Sequence, residues 1–232
     1  SKPIWLANLV AYQPKSIFKM SGMQIKHTDT IPQVSSCTLP LNMAQRGIWR
    51  GQQLDTTSAQ YNTGELVSFE GPVNFPQLCQ AIRYATGTCA SLNIRIANQQ
   101  TQASEQTAGQ AFTQTVDYFS QPEQVPLPLF DYSKLAPEMA HTLVREWCQQ
   151  SLASVIDVAQ QAPYQQALFK ISETHYLWFL SIHHVACDGY TYSLITQSVS
   201  KFYRDITPPK NKSLNFKALQ QQSINDYQLL IN

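Results

Sequence analysis

The sequence has few charged residues and no surplus of either sign. Only 13 % of its 232 residues are charged, about half the usual share for soluble domains, and the formal net charge is +1. It contains no basic stripe, so a nucleic-acid-binding role that depends on dense phosphate contacts is not expected. No apolar run approaches the roughly 20 residues of a membrane-spanning helix, and no membrane partner is expected.

Paired cysteines are also lacking. The chain has five cysteines, none of them in a CxxC arrangement, and no signal peptide precedes them. A disulfide scaffold and a zinc site are therefore both unexpected. Reduced thiols in a cytoplasmic protein are the expectation.

The residues that are abundant predict a folded chain. Hydrophobic residues make up 43 % of the sequence and aromatic residues 11 %, which is enough to build a core. Polarity comes from 28 glutamines rather than from the 15 acidic residues.

Helical and strand patterns alternate after residue 38, which predicts an α+β fold: a mixed or largely antiparallel sheet covered by helices. The predicted strands are 64–70, 92–96, 111–118, 166–171 and 176–182, and the predicted helices are one capped by Thr38, one capped by Asn74, 137–153, 190–203 and 216–229. The strand at 176–182 is almost continuously apolar and should lie centrally, covered on both faces. Residues 121–129 hold three prolines and are predicted to form an extended surface connection.

Residues 181–189 carry the most chemical information. Two adjacent histidines, His183 and His184, stand where the buried strand ends, and a strand end can hold an imidazole in one orientation. Asp188 can orient a ring, pair with a basic residue or cap the next helix. Gly189 lets the backbone bend and lets a ligand approach its N–H group. A histidine so placed suits a general base or a hydrogen-bond donor.

Spacing alone leaves other interpretations open. A His-His pair after a strand is more often structural than catalytic, and Asp188 can serve only as an N-cap. Cys187 is a conceivable nucleophile, but a cysteine at an apolar strand end usually packs. No metal site is expected, because His27, His141 and His175 are scattered along the chain.

The full string His183-His184-x-x-x-Asp188-Gly189 resembles the HHxxxDG motif of the condensation domains of nonribosomal peptide synthetases. The same motif class marks the chloramphenicol acetyltransferase superfamily. A second match runs from Leu39 to Trp49 and is similar to the opening signature of the condensation family, in which an Ala-Gln pair precedes a Gly and an aromatic residue. The two motifs lie about 140 residues apart, a spacing that also suits the family.

The resemblance implies a mechanism. His184, the second histidine, would sit in a tunnel that the phosphopantetheine arms of carrier proteins enter from two sides. One arm brings an acyl thioester and the other an amine. His184 would position the amine or accept its proton as the amine attacks the thioester. The N–H near Gly189 would help hold the oxyanion, while His183 and Asp188 would support the loop. No cofactor would bind the chain directly, because the thioester is already activated.

The sequence departs from the family pattern at one supporting position. The family's second motif has an arginine that pairs with the motif aspartate, here Asp188. Asn93 stands in its place within residues 91–96, so the anchor should be weaker. Arg95, two residues further on the same strand face, is the expected substitute.

The resemblance also implies a division of the chain. Residues 1–35 would be an N-terminal extension or linker, residues 36–205 the N-terminal lobe of a condensation domain, and residues 206–232 the interlobe linker and the start of the next segment. The fold would be chloramphenicol acetyltransferase-like, a single lobe of a two-lobe domain. Its partners would be peptidyl or aryl carrier proteins, the C-terminal lobe and other synthetase domains. A fragment limited to one lobe is expected to be incomplete and inactive alone.

The leading prediction is thus an amide-forming acyltransferase lobe in nonribosomal peptide biosynthesis, including the siderophore type. One alternative is a stand-alone, trimeric, CoA-dependent acetyltransferase, which does not explain the segment from Ala44 to Trp49. The other is a non-catalytic docking lobe, which Asn93 favours modestly.

Overall fold

Two β-sheets organise the computed structural model, which describes residues 37–99, 111–119, 121–206 and 214–231. A three-stranded antiparallel sheet has the order β1-β4-β3, and a four-stranded sheet has the order β2-β7-β6-β5, in which only β5 and β6 run parallel. The strands are β1 (Cys37–Pro40), β2 (Asn62–Glu70), β3 (Ile94–Gln99), β4 (Ala111–Val116), β5 (Leu129–Asp131), β6 (Tyr164–Ser172) and β7 (His175–His183).

Five α-helices accompany these strands in the described part of the chain. They are α1 (Met43–Leu54), α2 (Phe75–Thr88), α3 (Pro137–Ala153), α4 (Thr191–Ile206) and α5 (Phe216–Ile231). Two short 3-10 turns span Ala90–Asn93 and Pro122–Gln124. The predicted α+β class, with helices over antiparallel and mixed sheets, is confirmed.

Strand β7 lies at the centre of the four-stranded sheet and is buried on both faces, as its apolar sequence predicts. Trp178 and Leu180 belong to the larger core, which α2, α4 and α5 also line. Leu177 and Phe179 point the other way, into a smaller core that α3 covers with residues such as Val144. Alternating side chains of one strand thus reach two cores, which leaves β7 little freedom to move.

The first helix begins later than its pattern predicts. Thr38 does not cap it, because Thr38 pairs with Thr115 in the three-stranded sheet. The cap is Asn42, whose side chain accepts the N–H of Gln45 while the Gln45 side chain accepts the N–H of Asn42. This reciprocal capping box satisfies two backbone donors that the helix itself leaves free.

Two further segments differ from expectation. Residues 90–93, including Leu92, form a 3-10 turn, and the strand begins only at Ile94. The Pro-rich connection at 121–129 is not all on the surface, since Val125 and Leu127 are buried and its end starts β5. The predicted caps and starts at Asn74 and Pro137 are confirmed. The predicted extension at 1–35 and most of the linker after residue 206 lie outside the described residues.

Candidate active site

The two histidines lie where β7 ends, and neighbouring backbone holds both of them. The His183 N–H donates to the carbonyl of Pro163 at 2.8 Å, and the His184 N–H donates to the carbonyl of Tyr61 at 2.8 Å. These acceptors lie just before β6 and β2, the strands on either side of β7. The loop that carries the motif is therefore fixed from both flanks at its first two residues.

His183 is a buried, neutral imidazole whose tautomer follows from its contacts. Its ring is 1 % exposed, and its Nδ1 accepts the N–H of Val185 at 3.2 Å. The proton must then sit on Nε2, which lies 3.2 Å from Oε1 of Gln52. Burial lowers the pKa of His183 to about 4, and the neighbouring His184 adds to the effect.

Gln52 presents its oxygen to His183 because its nitrogen is already used. Its Nε2 donates to the carbonyls of Asp55 at 2.9 Å and Ser58 at 3.0 Å, in the segment that follows α1. The amide orientation is thus set by two acceptors, and only Oε1 is left to face the histidine. This side chain is one link between helix α1 and the motif loop.

His184 points outward. Its side chain is exposed, and the contact that its ring makes is between Nδ1 and the Sγ of Cys187, at 3.6 Å. Among the described residues, no protein group is hydrogen-bonded to its Nε2. An exposed imidazole on a fixed backbone, with one nitrogen open, can accept or donate a proton to a bound molecule.

Asp188 caps helix α4. Its Oδ1 accepts the backbone N–H groups of Tyr190 and Thr191, each at 3.0 Å, and the Thr191 hydroxyl at 2.8 Å. The Asp188 N–H in turn donates to the Thr191 hydroxyl at 2.9 Å. The Thr191 hydroxyl bond, followed by the backbone bonds, lowers the pKa of Asp188. Of the three interpretations that the sequence left open for Asp188, the N-cap is the one that these contacts show.

The structure does not bring Asn93 or Arg95 to Asp188. Asn93 is buried in the turn after α2, where its Nδ2 donates to the carbonyls of Thr86 and Cys89. Arg95 is half-buried on β3 and donates to the carbonyl of Ile94. The expected anchor is therefore absent from the described contacts. The physical reason is that the Asn93 amide donates to carbonyls at the C-terminal end of α2, while the Oδ1 of Asp188 already accepts three bonds at the start of its own helix.

Gly189 lies in open space beside the cap. A Cβ added there would meet no atom within 4 Å, so the glycine is not required by close packing. The residue is exposed, and no described group accepts its N–H. This leaves room for a ligand oxygen to approach that N–H.

The opening motif contributes a polar network that the sequence pattern did not reveal. The buried Nε2 of Gln45 lies 3.1 Å from the Val185 carbonyl in the motif loop and 2.9 Å from the Tyr227 hydroxyl on α5. Gln45 and Gln114 also exchange amide contacts at 3.2 and 3.1 Å. Gln45 and Gln52 are seven residues apart on α1, and this common helix face was the only signal that could have linked them to the loop.

Cys187 lies between His184 and strand β2, partly buried. Its Sγ is 3.6 Å from the Oγ1 of Thr63 as well as 3.6 Å from the Nδ1 of His184. Burial raises the pKa of the Cys187 thiol, which disfavours the thiolate that a nucleophile needs.

Neither a metal cluster nor a membrane helix is found in the described ranges. No three histidine, cysteine, aspartate or glutamate side chains there are grouped as metal ligands would be. None of the helices described there combines the length and the apolar character that spanning a bilayer requires.

Comparison with known proteins gives concordant matches. A family model described as the condensation domain matches residues 35–228. The isonitrile lipopeptide synthase of Streptomyces coeruleorubidus is 30 % identical over 186 residues, which cover 78 % of this chain and 12 % of the synthase. The dimodular nonribosomal peptide synthase of Bacillus subtilis is 29 % identical over 191 residues, covering 82 % of this chain and 7 % of that protein. The chain thus spans a small part of these relatives.

Solved structures with the same fold are also condensation domains. The first condensation domain of the calcium-dependent antibiotic synthetase is 23 % identical, with a TM-score of 0.62 over 73 % of this chain and 38 % of that one. The starter condensation domain of rhizomide synthetase is 22 % identical, with a TM-score of 0.62 over 84 % of this chain and 46 % of that one. At these identities the likeness establishes the fold.

Proposed function

Because the chain belongs to the condensation-domain family of nonribosomal peptide synthetases, we propose that it supplies the histidine-bearing lobe of an amide-forming acyltransferase. The single observation that carries the proposal is His184, exposed at the end of the doubly buried β7 with one ring nitrogen open. A rigid support and an open nitrogen are what proton transfer to or from a bound amine requires.

The proposed reaction joins a carrier-bound amine to a carrier-bound acyl thioester. The amine nitrogen attacks the thioester carbon, the new C–N bond forms, and the C–S bond breaks to release the thiol of the donor arm. The Nε2 of His184 positions the amine and accepts the proton that it loses. The proton then passes to the departing sulfur, so that His184 ends the cycle neutral.

Gly189 is the proposed donor to the oxyanion that develops on the thioester oxygen. Its N–H is exposed, and the space around it is open enough for a carbonyl oxygen to approach. A backbone N–H whose direction is set by the Asp188 cap would need no reorganisation as the charge develops. His183, neutral and buried, supports the loop in this proposal and exchanges no proton.

The proposed partners are carrier proteins that present both substrates, together with a second lobe that closes the site. The second lobe is supported by the solved condensation domains, since the chain covers only 38 % and 46 % of their lengths. The chloramphenicol acetyltransferase alternative leaves the match to the condensation-domain model over residues 35–228 unexplained. A non-catalytic docking role would be indicated by an intact synthetase whose turnover His184→Ala leaves unchanged.

The test is an amide-forming assay with the intact synthetase and loaded donor and acceptor carriers. His184→Ala should lower turnover by about 10²–10⁴-fold, the usual contribution of general acid–base catalysis. The matched control is His141→Ala, which removes an exposed histidine on α3 and should leave turnover unchanged. Both variants should melt within a few degrees of the wild type, because both side chains are exposed. Full turnover by His184→Ala would refute the proposal.

A further inference from the structure

Cys187 touches the ring nitrogen of His184 that faces away from the open side. Its Sγ lies 3.6 Å from the Nδ1 of His184, 3.6 Å from the Oγ1 of Thr63 and 3.9 Å from the carbonyl oxygen of His183. Cysteine is both a weak donor and a weak acceptor. The tautomer of His184 therefore depends on which atom accepts the thiol proton of Cys187. If the thiol donates elsewhere, its sulfur can accept a proton from the Nδ1 of His184.

The protons around Thr63 can be assigned in turn. The Thr63 hydroxyl donates to the carbonyl of Ile182 at 3.3 Å. The hydroxyl of Tyr192, 3.0 Å away, must then be the donor in its contact with Thr63. A hydroxyl oxygen has two acceptor lone pairs, so Thr63 keeps one for the thiol of Cys187.

Besides the Nδ1 of His184, the thiol proton thus has two oxygen acceptors within reach, the Thr63 hydroxyl and the His183 carbonyl, and the carbonyl can only accept. With its proton directed there, the sulfur turns its lone pairs towards His184. Burial raises the pKa of Cys187, and the nearby carboxylate of Asp188 acts in the same direction, so the group stays a thiol.

We propose that Cys187 is a positioning residue: its sulfur accepts the Nδ1–H of His184 and so keeps the lone pair of the neutral ring on Nε2. The inference rests on the proposed function, in which Nε2 is the atom that meets the amine. In a neutral imidazole only one nitrogen carries a proton, so a partner that fixes Nδ1–H makes Nε2 a base. In this arrangement of hydrogen bonds, Tyr192 and Cys187 both donate to the Thr63 hydroxyl, and His184 donates to the sulfur of Cys187.

The direct test reads the tautomer of the neutral His184 ring from the ring ¹⁵N shifts of the labelled chain, with His184→Ala used for assignment. The wild type should show mainly the Nδ1–H form. Cys187→Ala should shift the population towards Nε2–H, and Cys187→Ser should restore Nδ1–H because a hydroxyl can accept the same bond. Cys148→Ala, which removes another partly buried thiol on α3, should change nothing. A wild-type ring in the Nε2–H form, or one that Cys187→Ala leaves unaltered, would overturn the inference.

Turnover in the intact synthetase gives the second readout. Cys187→Ala should lower kcat about two- to tenfold with little change in KM, the effect of one modest hydrogen bond, and Cys187→Ser should recover most of it. Loss of all turnover in Cys187→Ser, with an acyl group trapped on the wild-type thiol, would overturn the inference in favour of a nucleophile. If the tautomer shifts as expected but wild-type turnover does not depend on His184, the proposed function fails and the positioning role of Cys187 stands.

Discussion

The buried neutral His183 makes the stability of the chain depend on pH. Its pKa falls from the ordinary value of 6.5 to about 4 on folding, because the ring is taken out of water. The unfolded chain then binds the proton more readily than the folded chain does. The stabilising contribution is complete above pH 6.5 and is lost as the pH falls towards 4.

The size of the loss follows from the two pKa values. Lowering the pKa of His183 from 6.5 to about 4 corresponds to about 3 kcal/mol of unfolding free energy, of which about 2 kcal/mol is lost by pH 5. The free energy of unfolding should therefore drop by that amount between pH 7 and pH 5, in addition to what other groups contribute. Asp188 acts in the same direction, but only at lower pH, because its pKa lies below the usual carboxyl range.

The assay is urea unfolding at pH 7 and pH 5 of the wild type and His183→Gln. Glutamine can donate to the Oε1 of Gln52 as the Nε2–H of His183 does, but it does not titrate. The wild type should lose about 2 kcal/mol more than His183→Gln between the two pH values. His141→Gln, on the surface of α3, should behave like the wild type.

Equal loss of stability by the wild type and His183→Gln on acidification would refute the lowered pKa of His183. That result would mean that His183 is protonated in the folded chain. Its Nδ1 would then no longer accept the N–H of Val185, and the contacts of the motif loop would have to be reassigned.

Three further substitutions test other contacts. Gln45→Leu should lower the free energy of unfolding in urea by about 2–4 kcal/mol, because its buried polar partners lose their hydrogen bonds. Gln53→Leu, at an exposed position on the same helix, should lower it by less than about 0.5 kcal/mol. Asp188→Ala should cost about 1 kcal/mol at pH 7 through loss of the α4 cap while Asp188→Asn keeps most of it, and an unchanged melting temperature would contradict this. Gly64→Ala should lower the free energy of unfolding by about 1–3 kcal/mol, since the added Cβ would lie 2.7 Å from the Cζ of Phe179. An unchanged melting temperature would show instead that the Phe179 side chain moves to accommodate the methyl group.

Sequence periodicity predicted the elements well wherever one face of a long segment is buried. The helix beginning at Pro137 is an example, because helical spacing directly records which side chains meet the core. Strand β7 is buried on both faces, and its almost continuous apolar run predicted it instead. Strands β1 and β5 were missed. They have four and three residues, too few to show a period, and their pairing with β4 and β6 depends on distant partners.

The motif residues were predicted, whereas their supports were not. His184 and Asp188 stand out because histidine and aspartate are rare in this chain, but Gln45 and Gln52 are two among 28 glutamines. A glutamine carries no periodic signal that distinguishes a buried contact from a solvated one. The sequence shows that Asn93 stands where the family pattern has an arginine. It does not predict the hydrogen bonds from the Asn93 amide to the end of α2, because they depend on the turn at 90–93.

The opening motif and the histidine motif are one structural unit, although about 140 residues separate them. Helix α1 places Gln45 and Gln52 on a common face, two turns apart. Gln52 accepts from the ring of His183 at the start of the loop, and Gln45 donates to the Val185 carbonyl two residues later. The exposed His184 lies between these two fixed points and has its own N–H bound to β2. The backbone of His184 is therefore held between two fixed neighbours, while its ring faces outward with its Nδ1 against the Sγ of Cys187. The helix of the opening motif supplies the two glutamines, and the histidine motif supplies the ring and the carbonyl that they bind.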